Sequence, residues 1–162
     1  DIGSGGGMPG IPLAITMPDT SFTLVESTKK KAVFINTVVN ELDLQNVTVI
    51  GERAENLASP DGGFRNIADA VVARAVGSMP VLLELTIPFL RLGGYFFAIK
   101  GERAQEEIEE SKMALRILGG KVESVNQTET GTIVSVCKNN ATPKKYPRRP
   151  GEPKRMPLGS TK

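Results

Sequence analysis

The chain begins Asp1-Ile2-Gly3-Ser4-Gly5-Gly6-Gly7-Met8-Pro9-Gly10, and an apolar run follows at residues 11–15. Five glycines in ten residues disfavour a regular helix or strand, because glycine serves where the backbone takes positive φ or passes close to another group. The acid before the glycines and the proline after them indicate the end of a strand, a tight turn and the first turn of a helix. Backbone N–H groups at such a helix start favour a ligand with anionic or acceptor groups. The stretch therefore predicts a cofactor-binding turn between a strand and a helix.

Strand-like and helix-like segments alternate after this turn. Short β-prone runs lie at residues 22–26, 47–50, 68–73 and 95–100, and helical patterns lie at residues 10–17, 28–42, 79–92 and 102–118. Such alternation predicts a doubly wound parallel sheet with right-handed crossovers. The last two runs, 122–125 and 132–136, have a short connection that permits only an antiparallel hairpin. An α/β, Rossmann-like sheet with a reversed last strand is the layout of the class I S-adenosylmethionine methyltransferases.

Two features of the sheet are expected from this pattern. The run at residues 68–73 is continuously apolar except for Asp69, which predicts a strand covered on both faces. The first strand of the sheet, which would deliver Asp1 to the turn, is missing. We therefore expect the sheet to show a gap or a distorted edge where that strand belongs.

The composition predicts one globular domain with a basic end. Hydrophobic residues make up 40% of the 162 residues, and no apolar run approaches the ~20 residues of a membrane span. One cysteine and no histidine exclude an internal disulfide, a cysteine-cluster metal site and a histidine general base. Residues 138–162 hold eight of the twenty Lys and Arg residues and a single acid, Glu152. We expect a cofactor-binding domain at residues 1–138 and a basic, proline-rich extension at residues 139–162 that meets a polyanion.

The glycine turn satisfies two cofactor patterns. From Asp1 it reads Asp-x-Gly-x-Gly-x-Gly, the methyltransferase form, and from Gly5 it also reads Gly-x-Gly-x-x-Gly, the dinucleotide pattern. Glu26 ends the next strand, where an acid binds two ribose hydroxyls in either family; the alternative is a solvated strand-end acid.

Three observations favour S-adenosylmethionine. Asp1 opens the turn, where it could face the ammonium group of that cofactor, and the sheet ends in a reversed pair. Arg53-Ala54-Glu55 follows the run at residues 47–50, the third strand when the missing first one is counted, where adenine would lie.

Two basic residues are candidates for the catalytic site. Arg74 follows the strand at residues 68–73, and Lys100 ends the strand at residues 95–100. Both lie at the carboxyl edge of the predicted sheet, the edge at which α/β folds bind ligands. The alternative for each is an ion pair with a nearby acid.

The end of the chain interleaves cations, prolines and one aromatic residue. The candidate RNA-binding residues are Lys144, Lys145, Tyr146, Arg148 and Arg149. A Lys or Arg that meets a phosphate adds salt-dependent affinity, and Tyr146 could stack on a base. The alternative is an untethered, solubilising tail.

Five motifs together resemble one family, the bacterial and organellar ribosomal RNA small-subunit methyltransferase G family, also called the glucose-inhibited division protein B family. They are Asp1-Ile2-Gly3-x-Gly5-x-Gly7-x-Pro9-Gly10-Ile11-Pro12-Leu13, Arg53-Ala54-Glu55, Ala73-Arg74-Ala75, Lys100-Gly101 and Thr142-Pro143-Lys144-Lys145-Tyr146-Pro147-Arg148. The last of these is the most specific, and the resemblance spans nearly the whole chain. Members carry a helical region and a first, central strand before the aspartate, so the resemblance is to an N-terminally truncated member that need not be active by itself.

The resemblance implies methylation of a guanine N7 in small-subunit (16S-type) ribosomal RNA, with S-adenosylmethionine as donor. It implies that Gly3 and Met8 line the cofactor pocket, that Ala54-Glu55 hold the adenine and that Arg74 lies near the methionine end. Met8 departs from the Phe or Leu usual in the family, a modest apolar change.

The implied chemistry suits a chain without histidine. Guanine N7 bears a free lone pair, so it attacks the methyl group without first losing a proton, and no general base is needed. Catalysis then depends on alignment and electrostatics, with Arg74 and Lys100 ordering the site.

We expect ribosomal RNA as the partner, no membrane, no metal, and a monomer in the bacterial cytoplasm or, for a plant source, the chloroplast stroma. Two further functional hypotheses remain open at this point. One is a non-catalytic RNA-binding remnant of the fold, and the other, less favoured, is a nicotinamide-dependent oxidoreductase.

Overall fold

The computed structural model describes residues 1–160, and the last two residues of the predicted extension, 161–162, lie outside the described part. The elements in chain order are α1 (Gly10–Thr16), β1 (Phe22–Val25), α2 (Lys29–Glu41), β2 (Val47–Ile50), α3 (Ala54–Leu57), β3 (Ala68–Arg74), α4 (Met79–Thr86), a 3₁₀ turn (Ile87–Phe89), β4 (Leu90–Lys100), α5 (Ala104–Glu110), α6 (Lys112–Leu118), β5 (Gly120–Thr128), β6 (Gly131–Lys138) and α7 (Glu152–Arg155). The predicted α/β alternation is confirmed.

The strands form two separate ladders. In the smaller one, β1 and β2 are parallel, and the larger one has the order β3-β4-β6-β5. Strand β4 is parallel to β3 and antiparallel to β6, which in turn pairs antiparallel with β5. The predicted final hairpin with one reversed strand is therefore confirmed.

Residues 1–3 lie between the two ladders. The Ile2 amide donates to the Val72 carbonyl oxygen at 3.0 Å, while the Val25 amide donates to the Asp1 carbonyl oxygen at 2.9 Å. Ile2 forms an isolated parallel bridge with Val25, and within the described residues no ladder joins β1 to β3 directly. The two ladders are thus separate and residues 1–3 bridge them, which agrees with the expected gap or distorted edge. The same backbone bonds hold the glycine turn at the carboxyl edge of both ladders.

Two apolar clusters hold the elements together. The larger one includes Phe96, Leu82 and Leu83, all fully buried, and joins α4, α5 and α6 to one face of the β3–β4–β6 sheet. In the smaller one, Leu24 of β1 and Ile35 of α2 are both fully buried. Burial of each aliphatic or aromatic side chain of this kind contributes roughly 1.5–3 kcal/mol to the free energy of unfolding.

Two helix predictions were too long. The helix expected over residues 79–92 ends at Thr86, because Pro88 follows and has no backbone N–H to continue it, and β4 already begins at Leu90. The helix expected over residues 102–118 divides at Ser111 into α5 and α6. The Ser111 hydroxyl donates to the Glu107 carbonyl oxygen at 2.5 Å. Such hydrogen bonds from a side chain to the preceding turn bend helices.

The prediction that the strand at residues 68–73 is covered on both faces was wrong. Val71 and Ala73 are buried against the large cluster, whereas Ala70 is exposed on the opposite face. Tyr95, which pairs with Ala70, is 41% exposed and stacks on Phe97 with ring centroids 6.1 Å apart. Strand β3 was predicted to be buried on both faces because its residues are mostly small and apolar, but one of its faces is exposed to solvent.

The chain beyond β6 has little regular structure, as expected, but it is packed against the body. The Arg65 guanidinium donates to the carbonyl oxygens of Thr142 and Tyr146, each at 2.7 Å, and to that of Ala58 at 3.0 Å. The Thr142 hydroxyl donates to the Leu118 carbonyl oxygen at 2.8 Å. These bonds hold residues 142–146 beside the C-terminal ends of α3 and α6.

The buried ammonium group of Lys138 has no carboxylate partner among residues 1–160. Its side chain is almost fully buried, and Nζ donates to Asn66 Oδ1 at 2.7 Å and to the carbonyl oxygens of Leu90 and Ile87 at 2.8 and 3.1 Å. Burial, together with the nearby Arg65 charge, lowers the pKa of Lys138 to about 8. Carbonyl dipoles satisfy the donors of this group but do not fully replace its hydration.

The lowered pKa of Lys138 predicts that stability rises in alkaline solution. Between about pH 8 and the ordinary lysine value of 10.5 the unfolded chain keeps this proton and the folded chain loses it, so the free energy of unfolding increases with pH. The increase from this group is at most about 3 kcal/mol. Urea denaturation across that range should show it in the wild type and in the exposed-site control Lys144→Met, but not in Lys138→Met. Equal pH slopes for all three proteins would contradict the prediction.

Candidate active site

A pocket of about 500 Å³ opens at the carboxyl edge of the strands. Its walls come from the glycine turn, from Glu26 after β1, from residues 52–55 after β2 and from residues 74–76 after β3. The first turns of α4 and residues of α7 complete it. Its volume lies within the ~300–1,000 Å³ range of small-molecule sites, and its position follows the rule for α/β sheets.

The glycine turn brings backbone close to this pocket. Gly3, at φ +73°, lines it, and a Cβ there would lie 3.4 Å or less from two methyl carbons of Val76. Gly5 also lines the pocket, whereas Gly7, at φ +90°, does not and instead packs against Ile11. Met8 lines the pocket and is 42% exposed. Of the predicted cofactor residues in this turn, Gly7 therefore shapes the loop without reaching the cavity.

Asp1, which was expected to face the ammonium group of the cofactor, supports the glycine turn from outside the pocket. Its carboxylate does not line the pocket, and Oδ2 accepts the backbone amide of Gly10 at 3.0 Å, which is the first amide of α1. The other oxygen, Oδ1, is buried without a hydrogen-bond partner among residues 1–160. The Gly10 amide is a helix-start donor of the kind expected to bind an acceptor group of the ligand. It bonds to Asp1 instead, and this bond closes the turn.

Glu26 is buried and oriented by two backbone amides. Oε2 accepts the amide of Gly5 at 2.9 Å, and Oε1 accepts that of Thr28 at 2.7 Å. Burial raises the pKa of Glu26, but the bonds from Thr28 and Gly5, with the Lys31 charge, outweigh it and lower the pKa below the usual value. The carboxylate keeps further lone pairs for two hydroxyl donors, so it is a fitting ribose ligand.

Glu55 connects the pocket with the far end of the chain. It is buried beside Ala54, and both residues line the pocket. Oε1 accepts the amide of Gly151 at 2.9 Å and Nη2 of Arg53 at 3.2 Å. Oε2 has no hydrogen-bond partner within the described residues, which leaves an acceptor for an amino group.

The two basic candidates have different surroundings. Arg74 is exposed and lines the pocket, and its side chain forms no hydrogen bond or ion pair with residues 1–160. Lys100 does not line it: Nζ is 2.7 Å from Glu107 Oε2 and donates to the Gly77 carbonyl oxygen at 2.9 Å. Glu107 Oε2 also accepts the Met79 amide at 2.7 Å. Lys100 therefore forms the ion pair that was the alternative for it, and it fixes the loop between Arg74 and α4.

Two of the predicted RNA-binding residues have structural contacts. Tyr146 is 8% exposed, so its ring is not available for stacking on a base. Arg148 donates from Nε to Glu84 Oε1 at 2.9 Å and from Nη2 to Oε2 at 2.6 Å, and Glu84 is fully buried. Side-chain hydrogen bonds to Glu84 raise the pKa of Arg148. Lys144, Lys145 and Arg149 are exposed.

Pro153 and Lys154 of α7 also line the pocket, which was not predicted from the sequence. No local pattern places them there, because the contact between Glu55 and Gly151 joins positions 96 residues apart. Within residues 1–160 no group of three or more acids, cysteines or histidines is arranged to hold a metal ion, and no helix has the length and apolarity to cross a membrane.

Comparison with known proteins identifies the family. The sequence profile of GidB, described as rRNA small subunit methyltransferase G, matches residues 1–136. Two curated relatives, each called ribosomal RNA small subunit methyltransferase G, come from Desulfitobacterium hafniense (44% identical) and Staphylococcus carnosus (40%). Both alignments cover 98% of this chain and 68% of the relative.

Solved structures with low sequence identity share the fold. A SAM dependent methyltransferase from Aquifex aeolicus has a TM-score of 0.64 at 20% identity, over 85% of this chain and 80% of that one. A mutant of the 16S rRNA (adenine(1408)-N(1))-methyltransferase from Catenulisporales acidiphilia, with cosubstrate SAM, has a TM-score of 0.65 at 15% identity, over 88% and 85%. The predicted fold class is confirmed. The profile match and the identity to the curated relatives show that the chain belongs to the GidB family, the rRNA small subunit methyltransferase G family.

Proposed function

We propose that the chain is the methyltransferase part of an enzyme that transfers the methyl group of S-adenosylmethionine to N7 of a guanine in small-subunit ribosomal RNA. The observation that carries the proposal is the bond between the Gly5 amide and Glu26 Oε2, at 2.9 Å, which joins the glycine turn to a buried acid at the edge of the pocket. Family membership supports the RNA substrate. The choice of guanine N7 follows from the family resemblance.

The residues of the pocket fit this cofactor. Ala54 and Glu55 would hold the adenine, with Glu55 Oε2 as acceptor for its amino group, and Glu26 would bind the ribose hydroxyls. Gly3, Gly5 and Met8 would border the methionine part, whose carboxylate Arg74 would bind. Asp1 and Gly7 support this site from outside the cavity by shaping the turn.

The chain's own contribution to catalysis is positioning. S-adenosylmethionine, when bound, supplies a methyl group that passes to the N7 lone pair as the carbon–sulfur bond breaks, and the positive charge moves from sulfur to the guanine. Because no proton is removed, no side chain need act as a base. Arg74 would fix the donor, and Lys100, through Gly77 and Glu107, would hold the loop that carries Arg74.

The basic extension at residues 139–162 would supply the RNA contact. Lys144, Lys145 and Arg149 project from the described part of the segment and are exposed, so each could meet a phosphate. We propose that the protein acts as a monomer in the bacterial cytoplasm, without a metal. The curated relatives named above are bacterial, which supports this location.

Methyl transfer tests the proposal. The intact protein, given labelled S-adenosylmethionine and small-subunit ribosomal RNA, should label one guanine at N7, and Arg74→Ala should lower transfer about tenfold or more at a fixed cofactor concentration. Arg116→Ala, which removes an exposed arginine of α6, is the matched control and should keep wild-type transfer. Binding of RNA by the intact protein, with neither cofactor binding nor methyl transfer, would favour the RNA-binding remnant. Thermal protection by NADH alone would favour the oxidoreductase.

A further inference from the structure

The C-terminal segment is bonded to the rest of the fold at two carboxylates, Glu84 and Glu55, and the second of these lines the pocket. Arg148 binds Glu84 of α4 through its guanidinium, and its backbone amide donates to Glu84 Oε1 at 2.8 Å. Three residues later, Gly151 donates its amide to Glu55 at 2.9 Å. Glu84 is fully buried and Glu55 nearly so, which makes these strong, well-oriented contacts. They bring α7 to the rim of the pocket.

The residues that α7 contributes differ in character from the rest of the pocket rim. Pro153 is buried and lines the cavity together with Val81 and Leu85 of α4, so this side of the pocket is apolar. Lys154 follows it, with its head group exposed, and lines the cavity as well. A proline ring and a lysine stem provide a flat apolar surface. Such a surface suits the face of an aromatic heterocycle.

We propose that Pro153 and Lys154 form the outer wall of the adenosine subsite, and that binding of the cofactor and docking of residues 151–155 stabilise each other. The inference rests on the proposed function. Glu55 is the shared residue: Oε1 holds the segment, and Oε2 is left for the amino group of the adenine. A ligand that orders Glu55 and covers Pro153 binds the docked form more tightly, and by linkage the docked segment raises the affinity for the ligand.

Titration calorimetry with S-adenosylhomocysteine and with 5′-methylthioadenosine, which lacks the amino-acid part, tests the wall directly. Pro153→Ala keeps a good helix former in α7 and removes the ring, and it should weaken both ligands about five- to tenfold. Lys154→Ala should weaken both about threefold. The matched control is Arg155→Ala, which removes a neighbouring cation of the same helix that does not line the pocket. It should leave both affinities unchanged.

Hydrogen exchange tests the coupling. Saturating S-adenosylhomocysteine should slow exchange of the amides of residues 151–155 about tenfold or more in the wild type, and less in Pro153→Ala. A purely structural role for Pro153 would lower the melting temperature of the free protein without changing this protection.

The outcomes separate the two proposals. If the wild type binds neither ligand, the proposed function fails. If the wild type binds both, but Pro153→Ala and Lys154→Ala bind as it does and exchange at residues 151–155 is unaffected, only the wall is refuted. Loss of S-adenosylhomocysteine affinity alone would place the wall at the methionine end and overturn its assignment to the adenosine.

Discussion

Replacing Arg148 by alanine is expected to lower the free energy of unfolding by about 3–5 kcal/mol, because the change leaves a buried carboxylate without its partner. Glu84 is fully buried in α4, and it accepts the Arg148 backbone amide at 2.8 Å as well as the guanidinium at 2.6–3.2 Å. The alanine variant keeps the backbone bond but loses every charged donor. Urea denaturation near neutral pH measures the effect.

Arg149→Ala is the matched control, since the adjacent arginine is exposed and forms no ion pair within the described residues. It should change stability by less than about 0.5 kcal/mol. The double variant Glu84→Leu/Arg148→Met should recover most of the loss, because an apolar pair of similar volume replaces a buried ion pair at little cost. Equal stabilities of Arg148→Ala and Arg149→Ala would refute the assigned role of the Glu84 pair.

The parts of the fold that follow from local pattern could be predicted from the sequence. Strand β2 at residues 47–50, the final hairpin and the glycine turn each depend on residues close together in the chain. The early end of α4 could also have been predicted, because Pro88 lies within the stretch whose apolar spacing indicated a helix.

The use of the charged residues could not be predicted in the same way. The sequence shows that residues 138–162 are basic, but not that Arg148 meets a buried acid 64 positions earlier or that Lys100 pairs with Glu107. A cation in a basic, proline-rich stretch is expected to be solvated, because nothing in the local sequence shows that the fold brings a distant carboxylate next to it. The α7 wall of the pocket was missed for the same reason, since Gly151 and Glu55 are distant in sequence.

Glu26→Ala is expected to weaken S-adenosylhomocysteine binding about 100-fold, the largest single effect on the pocket, which corresponds to about 2.7 kcal/mol. The carboxylate would bind two ribose hydroxyls, and it also fixes the turn through Gly5 and the start of α2 through Thr28. Glu26→Gln should weaken binding less, about tenfold, because one oxygen remains as acceptor while the new amide group opposes a backbone N–H donor. Titration calorimetry measures both.

The charge state of Glu26 predicts how the affinity for S-adenosylhomocysteine depends on pH. Its two backbone bonds and Lys31 hold the pKa of Glu26 below the usual value against the effect of burial, so the carboxylate stays ionised at neutral and mildly acidic pH. Affinity should therefore be constant through that range and fall only as the pH drops below the ordinary carboxyl region. Glu41→Ala, which removes an exposed acid at the end of α2, should bind as the wild type does. If Glu26→Ala bound as tightly as this control, the ribose contact would have to lie elsewhere in the pocket.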